Sequence, residues 1–282
     1  MRLRHRSAAV AAMVLLSIAA CDDKKAALAP AASALDPPEP PPPSPAVRTF
    51  VVDAESKARI QMVAPKETIA ATATGAKGTL DVDLADLTRS RGEVKIDLTT
   101  LETHTFTGDR ASDNAVQTKH ALVWLEVIDP DDAKLEEKVK EANRYAVYAI
   151  RSIEQASASD VTKVAPAKDG DDEVRTVTLT TKGELLVHGR KVMRDAELEV
   201  AFRYDTGAPA DEPKAMSVRS KKPLRVVLAE HDVKPRDKLG KIAKGSFHLF
   251  GTKVADVADV TLDVRAVRRA VIASEGAESS VH

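Results

Sequence analysis

The stretch Glu197-Leu198-Glu199-Val200-Ala201-Phe202-Arg203-Tyr204 places an apolar side chain at every second position. Leu198, Val200, Phe202 and Tyr204 share one face, and Glu197, Glu199 and Arg203 lie on the other. A period of two is that of a β-strand with one face in water, and strands of this kind pair into antiparallel sheets. The stretch therefore predicts an antiparallel β-protein.

The same period recurs along the chain. It is found in Glu93–Thr100, Thr176–Thr180 and Val260–Val264. Lys182–Val192 reads as a strand that turns at His188-Gly189-Arg190 into the next strand. Asp131–Asn143 alone has a helical pattern, and no parallel crossover is indicated. These patterns predict an all-β fold, an antiparallel β-barrel with one or two short helices. A barrel of about eight strands is either filled by its side chains or holds one small ligand.

The composition restricts the function. The net charge of −1 gives no basic surface for nucleic acid, and aromatic residues make up only 3% of the chain. Stacking platforms for single-stranded nucleic acid need aromatic side chains. We therefore expect no nucleic-acid partner. The chain has one cysteine, so it forms no intrachain disulfide.

The N-terminus has the three parts of a bacterial lipoprotein signal. Basic residues come first, an apolar run extends from Ala8 to Ile18, and Ala19-Ala20-Cys21 follows. Small residues before the cut and a cysteine after it predict a signal peptide over residues 1–20 and acylation, palmitate included, at Cys21. An uncleaved signal anchor is the alternative, but the run is shorter than the roughly 20 residues that span a bilayer. The prediction is a lipid-anchored, periplasm-facing protein of the cell envelope, on either the inner or the outer membrane.

The remaining chain divides by composition. Residues 21–47 hold eight of the fifteen prolines and much alanine, which predicts an extended spacer after Cys21. Residues 48–270 form the predicted barrel domain. Residues 271–282 are small, polar and aperiodic, and they predict a disordered tail.

Several blocks of the barrel region, in this order, resemble the YceI-like family. They are Phe50-Val51-Val52-Asp53 with Ser56, Gly78–Asp83, Leu87–Ser90, Val94–Thr103, Gly183–Gly189 and Val254–Val267. The resemblance covers residues 48–268. It implies a lipocalin-like barrel that encloses a long apolar ligand, a polyisoprenoid or a fatty-acyl compound. The chain departs from the family pattern at Ala121–Val127, at Asp131–Asn143 and in an insertion at Ser157–Asp172.

The inward faces of the predicted strands supply the candidate ligand contacts. These are Val94, Ile96, Leu98, Leu198, Val200, Phe202, Tyr204, Val260, Leu262 and Val264. Periodicity alone does not distinguish a hollow barrel from a filled one. Two functions therefore stay open: a non-enzymatic lipid-binding module, and a structural or interaction lipoprotein with a filled barrel and no ligand. The oligomeric state is open as well.

Catalytic and metal-binding signals are weak. The seven histidines form no HxH or HExxH set, and no cofactor motif is present. His104 and His120 are a remote candidate for a metal pair. His231-Asp232 reads as a surface loop, and Asp169–Glu173 as a solvated loop without the spacing of a calcium site. We therefore expect no catalytic residues, no metal and no cofactor apart from a bound lipid.

Overall fold

The structure, a computed structural model, describes residues 28–64, 67–234 and 255–270. The predicted signal peptide, the acylation site Cys21 and the predicted tail lie outside these ranges, so they stay predictions. Thirteen strands and two α-helices occur in the described part of the chain. The strands are β1 (Val47–Val52), β2 (Lys57–Val63), β3 (Thr68–Ala73), β4 (Lys77–Asp83), β5 (Arg91–Asp97), β6 (Glu102–Thr103), β7 (Tyr145–Ala156), β8 (Ala167–Asp169), β9 (Asp172–Val187), β10 (Arg190–Asp205), β11 (Ala215–Ser220), β12 (Leu224–Val227) and β13 (Val257–Arg268). The helices are α1 (Asp113–Trp124) and α2 (Glu137–Asn143).

Every strand pair is antiparallel, and the sheet closes on itself. The order β1-β4-β5-β7-β9-β10-β11-β13 returns to β1 through the pairing of β13 with β1. Closure of these eight strands joins the first to the last and gives the barrel an inside and an outside. The predicted all-β antiparallel barrel with one or two short helices is confirmed.

The strand β1 continues into β2 after a sharp corner at Asp53–Ser56. The fully buried Ser56 hydroxyl accepts a hydrogen bond from the Arg265 amide (2.8 Å) and donates one to the Arg265 carbonyl (3.1 Å). On one side of this corner β1 pairs with β4, and on the other side β2 pairs with β3. The β3 strand then pairs with the short β6 and not with β5. The corner therefore divides the barrel into two halves with different neighbours.

The hairpin between β9 and β10 turns at His188 and Gly189, as predicted. Both residues have positive φ angles (48° and 66°), which suit a two-residue hairpin turn whose twist matches that of the strands. This turn and the β2–β3 turn mark one end of the barrel, which we call the upper end. The lower end carries the β4–β5 connection and the β8–β9 turn.

One helix is shorter than the sequence predicts, and a second helix was not predicted. Of Asp131–Asn143 only Glu137–Asn143 is helical, because the Asp129 carboxylate accepts a hydrogen bond from the Leu135 amide (2.9 Å) and holds the preceding residues in a loop. The helix α1 was not predicted. Among the described helices, none has the length and apolarity to span a bilayer.

The proline-rich segment differs from the extended spacer that its composition predicts. From Ala29 to Pro43 it lies on the outside of the barrel and forms hydrogen bonds with it. Leu35 is buried against Val147, Ala149 and Leu186 of the sheet. This buried leucine and the hydrogen bonds to the barrel hold the segment against the outer face of the sheet.

Candidate ligand-binding cavity

The upper half of the barrel encloses a cavity of about 640 Å³. Its wall comes from the inward faces of β2, β3, β5, β7, β9, β12 and β13, and α1 lies at its mouth. The wall is largely aliphatic, with Ile60, Met62, Leu185, Val226 and Val260 as examples. A concave, mostly apolar site of this size is typical of small-molecule binding sites.

The lower half is packed and leaves a second cavity of only about 70 Å³. Its floor is formed by fully buried side chains, among them Leu84, Leu87 and Val161. The rings of Phe50 and Phe202 meet edge to face, with centroids 6.4 Å apart. The barrel is thus hollow at one end and filled at the other.

The ten predicted ligand contacts divide between these two halves. Val94, Ile96, Leu98, Val260 and Leu262 line the large cavity. Leu198, Val200, Phe202 and Val264 line the small one, which Val94 and Leu262 also border. Tyr204 lines neither and is buried in the lower core. Contact of any of these side chains with a ligand stays a prediction.

Tyr148 lies between the two cavities and presents its ring to both. Its hydroxyl donates to the Arg194 carbonyl (3.1 Å) and lies 3.1 Å from the Thr181 hydroxyl. Burial raises the pKa of Tyr148 to about 12, so the phenol is neutral at physiological pH. Its polar atom is satisfied within the wall, and the ring leaves an apolar surface for a ligand.

The mouth of the large cavity carries its polar side chains. Gln117 of α1 donates to the Glu67 carboxylate (2.8 Å) and accepts from the Thr105 hydroxyl (2.6 Å). Arg110 pairs with Asp113 (3.0 Å) and stacks on the Phe106 ring at 4.0 Å. These pairs keep the charges at the rim, and the interior stays apolar.

Sequence reasoning missed much of this mouth. The helix α1 buries only Leu122 and Val123, so its apolar residues show no helical period that would reveal it. Trp124, the only tryptophan of the chain, and His120 also line the cavity from this helix.

His231 does not lie in a surface loop as its sequence context suggests. It is fully buried beneath the β9–β10 turn, and its Nδ1 donates to the Arg190 carbonyl (3.0 Å). Burial lowers the pKa of His231, so the imidazole is neutral. His188 lies 2.8 Å from the Glu126 carboxylate and 2.9 Å from the His231 carbonyl, and it joins the hairpin turn to the end of α1. Both histidines therefore hold the upper end of the barrel together.

In the described ranges, no group of three or more His, Cys, Asp and Glu side chains is placed to bind a metal ion. In the acidic run Asp169–Glu173, the Asp172 carboxylate pairs with Lys214 (2.6 Å) and Arg203 (3.4 Å). These ion pairs lower the pKa of Asp172. The run is part of a surface ion-pair network.

Two solved structures are similar to this chain. One is a polyisoprenoid binding domain from Saccharophagus degradans implicated in plant cell wall breakdown (14% identity, TM-score 0.45, covering 78% of this chain and 98% of that one). The other is BcnA from Burkholderia cenocepacia (12% identity, TM-score 0.45, covering 77% and 99%). No family model and no curated protein matches the chain.

Proposed function

We propose that this protein is a YceI-like lipid carrier that binds one long apolar chain in the upper half of its barrel. The single observation that carries this proposal is the cavity of about 640 Å³ with its largely aliphatic wall. An unpaired polar atom against such a wall costs about 1–3 kcal/mol, so the site selects against polar ligands.

The cavity volume sets the size of the ligand. A cavity of about 150 Å³ holds the six carbons of benzene, or about 25 Å³ per carbon, so 640 Å³ admits roughly 25 carbons. That is the size of a chain of four or five isoprene units or of a long fatty acid. Twenty buried carbons at about 0.8 kcal/mol each give about 16 kcal/mol, which exceeds an association cost of about 4–15 kcal/mol.

The ligand class follows from the wall and from the resemblance. Among the described residues that line the cavity, the polar side chains lie in pairs at the mouth and the inner wall is largely apolar. We therefore expect a ligand with a small polar head at the rim and its tail inside. The YceI-like resemblance of the sequence implies a polyisoprenoid or a fatty-acyl compound, and both have such a tail. The protein acts by binding and not by catalysis.

We further propose that the protein is held on the envelope membrane by acylation of Cys21. The motif Ile18-Ala19-Ala20-Cys21 and the basic, then apolar, leader support this tether. The alternative of a filled structural barrel fits the lower half but leaves the upper cavity without an occupant.

Organic extraction of the purified full-length protein, followed by mass spectrometry, tests the carrier proposal. We expect one apolar molecule per protein chain. The matched control is a variant with a narrowed cavity, Val260→Phe, from which the molecule should be largely lost. An empty extract from wild-type protein that also fails to take up an added isoprenoid alcohol of 20 carbons would refute the carrier function.

A further inference from the structure

The segment that precedes β1 begins at the upper end of the barrel. Next to the β9–β10 turn, the Ala32 amide donates to the Gly189 carbonyl (2.9 Å) and the Lys191 amide donates to the Pro30 carbonyl (3.1 Å). The Ala29 amide donates to the Glu230 carbonyl (3.0 Å). The first described residue, Leu28, is therefore fixed at the end where the large cavity opens.

The rest of the segment runs down the outer wall to the lower end. Arg151 donates to the Asp36 carbonyl (2.9 Å), and Arg89 donates to the Pro42 carbonyl (3.0 Å). The chain then enters β1 at Val47, next to Asp83 of the lower end. The proline-rich residues thus lie along the outer wall of the barrel. They do not act as a spacer between the barrel and Cys21.

Three exposed apolar side chains lie at the upper end. They are Leu28 (49% exposed), Val63 at the end of β2 (68%) and Val116 on α1 (57%). Val116 also lines the cavity, and Val63 follows the cavity residue Met62. The remaining large apolar side chains exposed in the described ranges are Val51, Met193 and Val267, which lie on strands away from the mouth.

We infer that the mouth of the cavity faces the lipid bilayer and that the exposed side chains of Leu28, Val63 and Val116 dock onto it. The inference rests on the proposed tether at Cys21. Six residues lie between Cys21 and Leu28, and the seven steps from one to the other span at most about 25 Å when fully extended. An acyl anchor that enters the bilayer therefore holds the upper end, and not the lower end, next to the membrane.

The charge pattern of the mouth fits a neutral lipid surface. Arg110 is paired with Asp113, and Lys119 is paired with Asp131. Since the rim carries both signs in pairs, docking depends on the anchor and on apolar contact, and not on anionic lipid. In this orientation an isoprenoid or acyl tail passes between bilayer and cavity with little exposure to water.

Single thiols on the acylated mature protein, which begins at Cys21, test this orientation. Cys21 is the only cysteine of the chain, and under the proposed tether its thiol carries the lipid. The variants are Val63→Cys and Val116→Cys at the mouth. The matched control is Ala167→Cys, an exposed strand position at the lower end. Each thiol carries an environment-sensitive fluorophore, and the protein is bound to phosphatidylcholine vesicles with and without brominated acyl chains.

We expect a blue shift and loss of fluorescence to brominated lipid for the labels at positions 63 and 116, and neither change at position 167. Quenching at 167, or no quenching at 63 and 116 while the protein floats with the vesicles, would overturn the inference. Mass spectrometry of the same preparation separates the causes. A bound apolar ligand without quenching refutes only the orientation, whereas an unmodified Cys21 refutes the tether and the orientation together.

Discussion

The same substitution, valine to phenylalanine, made once in each half of the barrel, tests whether the upper half is hollow and the lower half is filled. Val260 on β13 lines the large cavity of about 640 Å³, and Val200 on β10 lines the small one of about 70 Å³ and is 2% exposed. Both face inward in the sheet. A change of valine to phenylalanine adds four carbons. The large cavity has room for the ring in several orientations, whereas the ring would nearly fill the small one and crowd the side chains around it.

The two variants should therefore differ in stability and in binding. Val200→Phe should lower the free energy of unfolding of the delipidated protein by about 1–3 kcal/mol through overpacking. Val260→Phe should leave it close to the wild-type value. The same ring takes the place of about four ligand carbons, which should weaken binding by about 3 kcal/mol, or about two orders of magnitude in Kd.

Urea denaturation of delipidated protein measures the first quantity, and titration with an isoprenoid alcohol of 20 carbons measures the second. The reasoning is refuted if Val260→Phe costs as much stability as Val200→Phe, since the upper half would then hold no free space. It is also refuted if Val260→Phe binds the alcohol as tightly as the wild type does.

Three further predictions concern the anchor, the wall and the buried histidine. Cys21→Ser should abolish labelling by radioactive palmitate, and full labelling of the variant would contradict the lipoprotein assignment. Gly183→Ala should destabilise the barrel by about 1–3 kcal/mol because the new methyl group would lie 2.7 Å from the Ala149 carbonyl oxygen and against the Tyr148 ring; an unchanged melting temperature would refute this packing. Burial lowers the pKa of His231 below its usual 6.5, so the unfolded chain binds the proton more readily and stability should fall as the pH drops below 6.5, by up to about 1.4 kcal/mol per unit. His231→Asn removes this titration and should show a shallower fall between pH 7.5 and 5.5; the same fall in both proteins would exclude His231 as the cause.

The sequence predicts the strands well where one face is wet. Glu197–Tyr204, Thr176–Thr180 and Val260–Val264 lie in β10, β9 and β13, and the turn at His188-Gly189 is where the pattern places it. Glu93–Thr100 is a strand only to Asp97, because the Asp97 carboxylate accepts a hydrogen bond from the Thr99 amide (3.0 Å) and begins a short 3₁₀ turn. The alternation of apolar residues gives no sign of a side-chain hydrogen bond that ends a strand.

The proline-rich segment shows a different limit. Its alanines and prolines have no period, so only a spacer is predicted from composition. Its position depends on Leu35, which finds an apolar patch on the outer face of β7 and β9, and on Arg151, which meets the backbone at Asp36. Such contacts join residues more than a hundred positions apart in sequence, and no local pattern records them.

Hollow and filled halves have the same strand pattern, so another feature must produce the difference. Val260 and Val200 occupy equivalent alternating positions, yet Val260 borders the large cavity and Val200 lies in the packed half. The corner at Asp53–Ser56 separates these halves. Before the corner β1 pairs with β4, whereas after it β2 pairs with β3, and β3 pairs in turn with the two-residue β6. The wall above the corner is completed by the short strands β6 and β12 and by α1. We infer that this change of strand partners at the upper end, and not the apolar alternation of the strands, makes room for a ligand and places the mouth of the cavity beside Leu28.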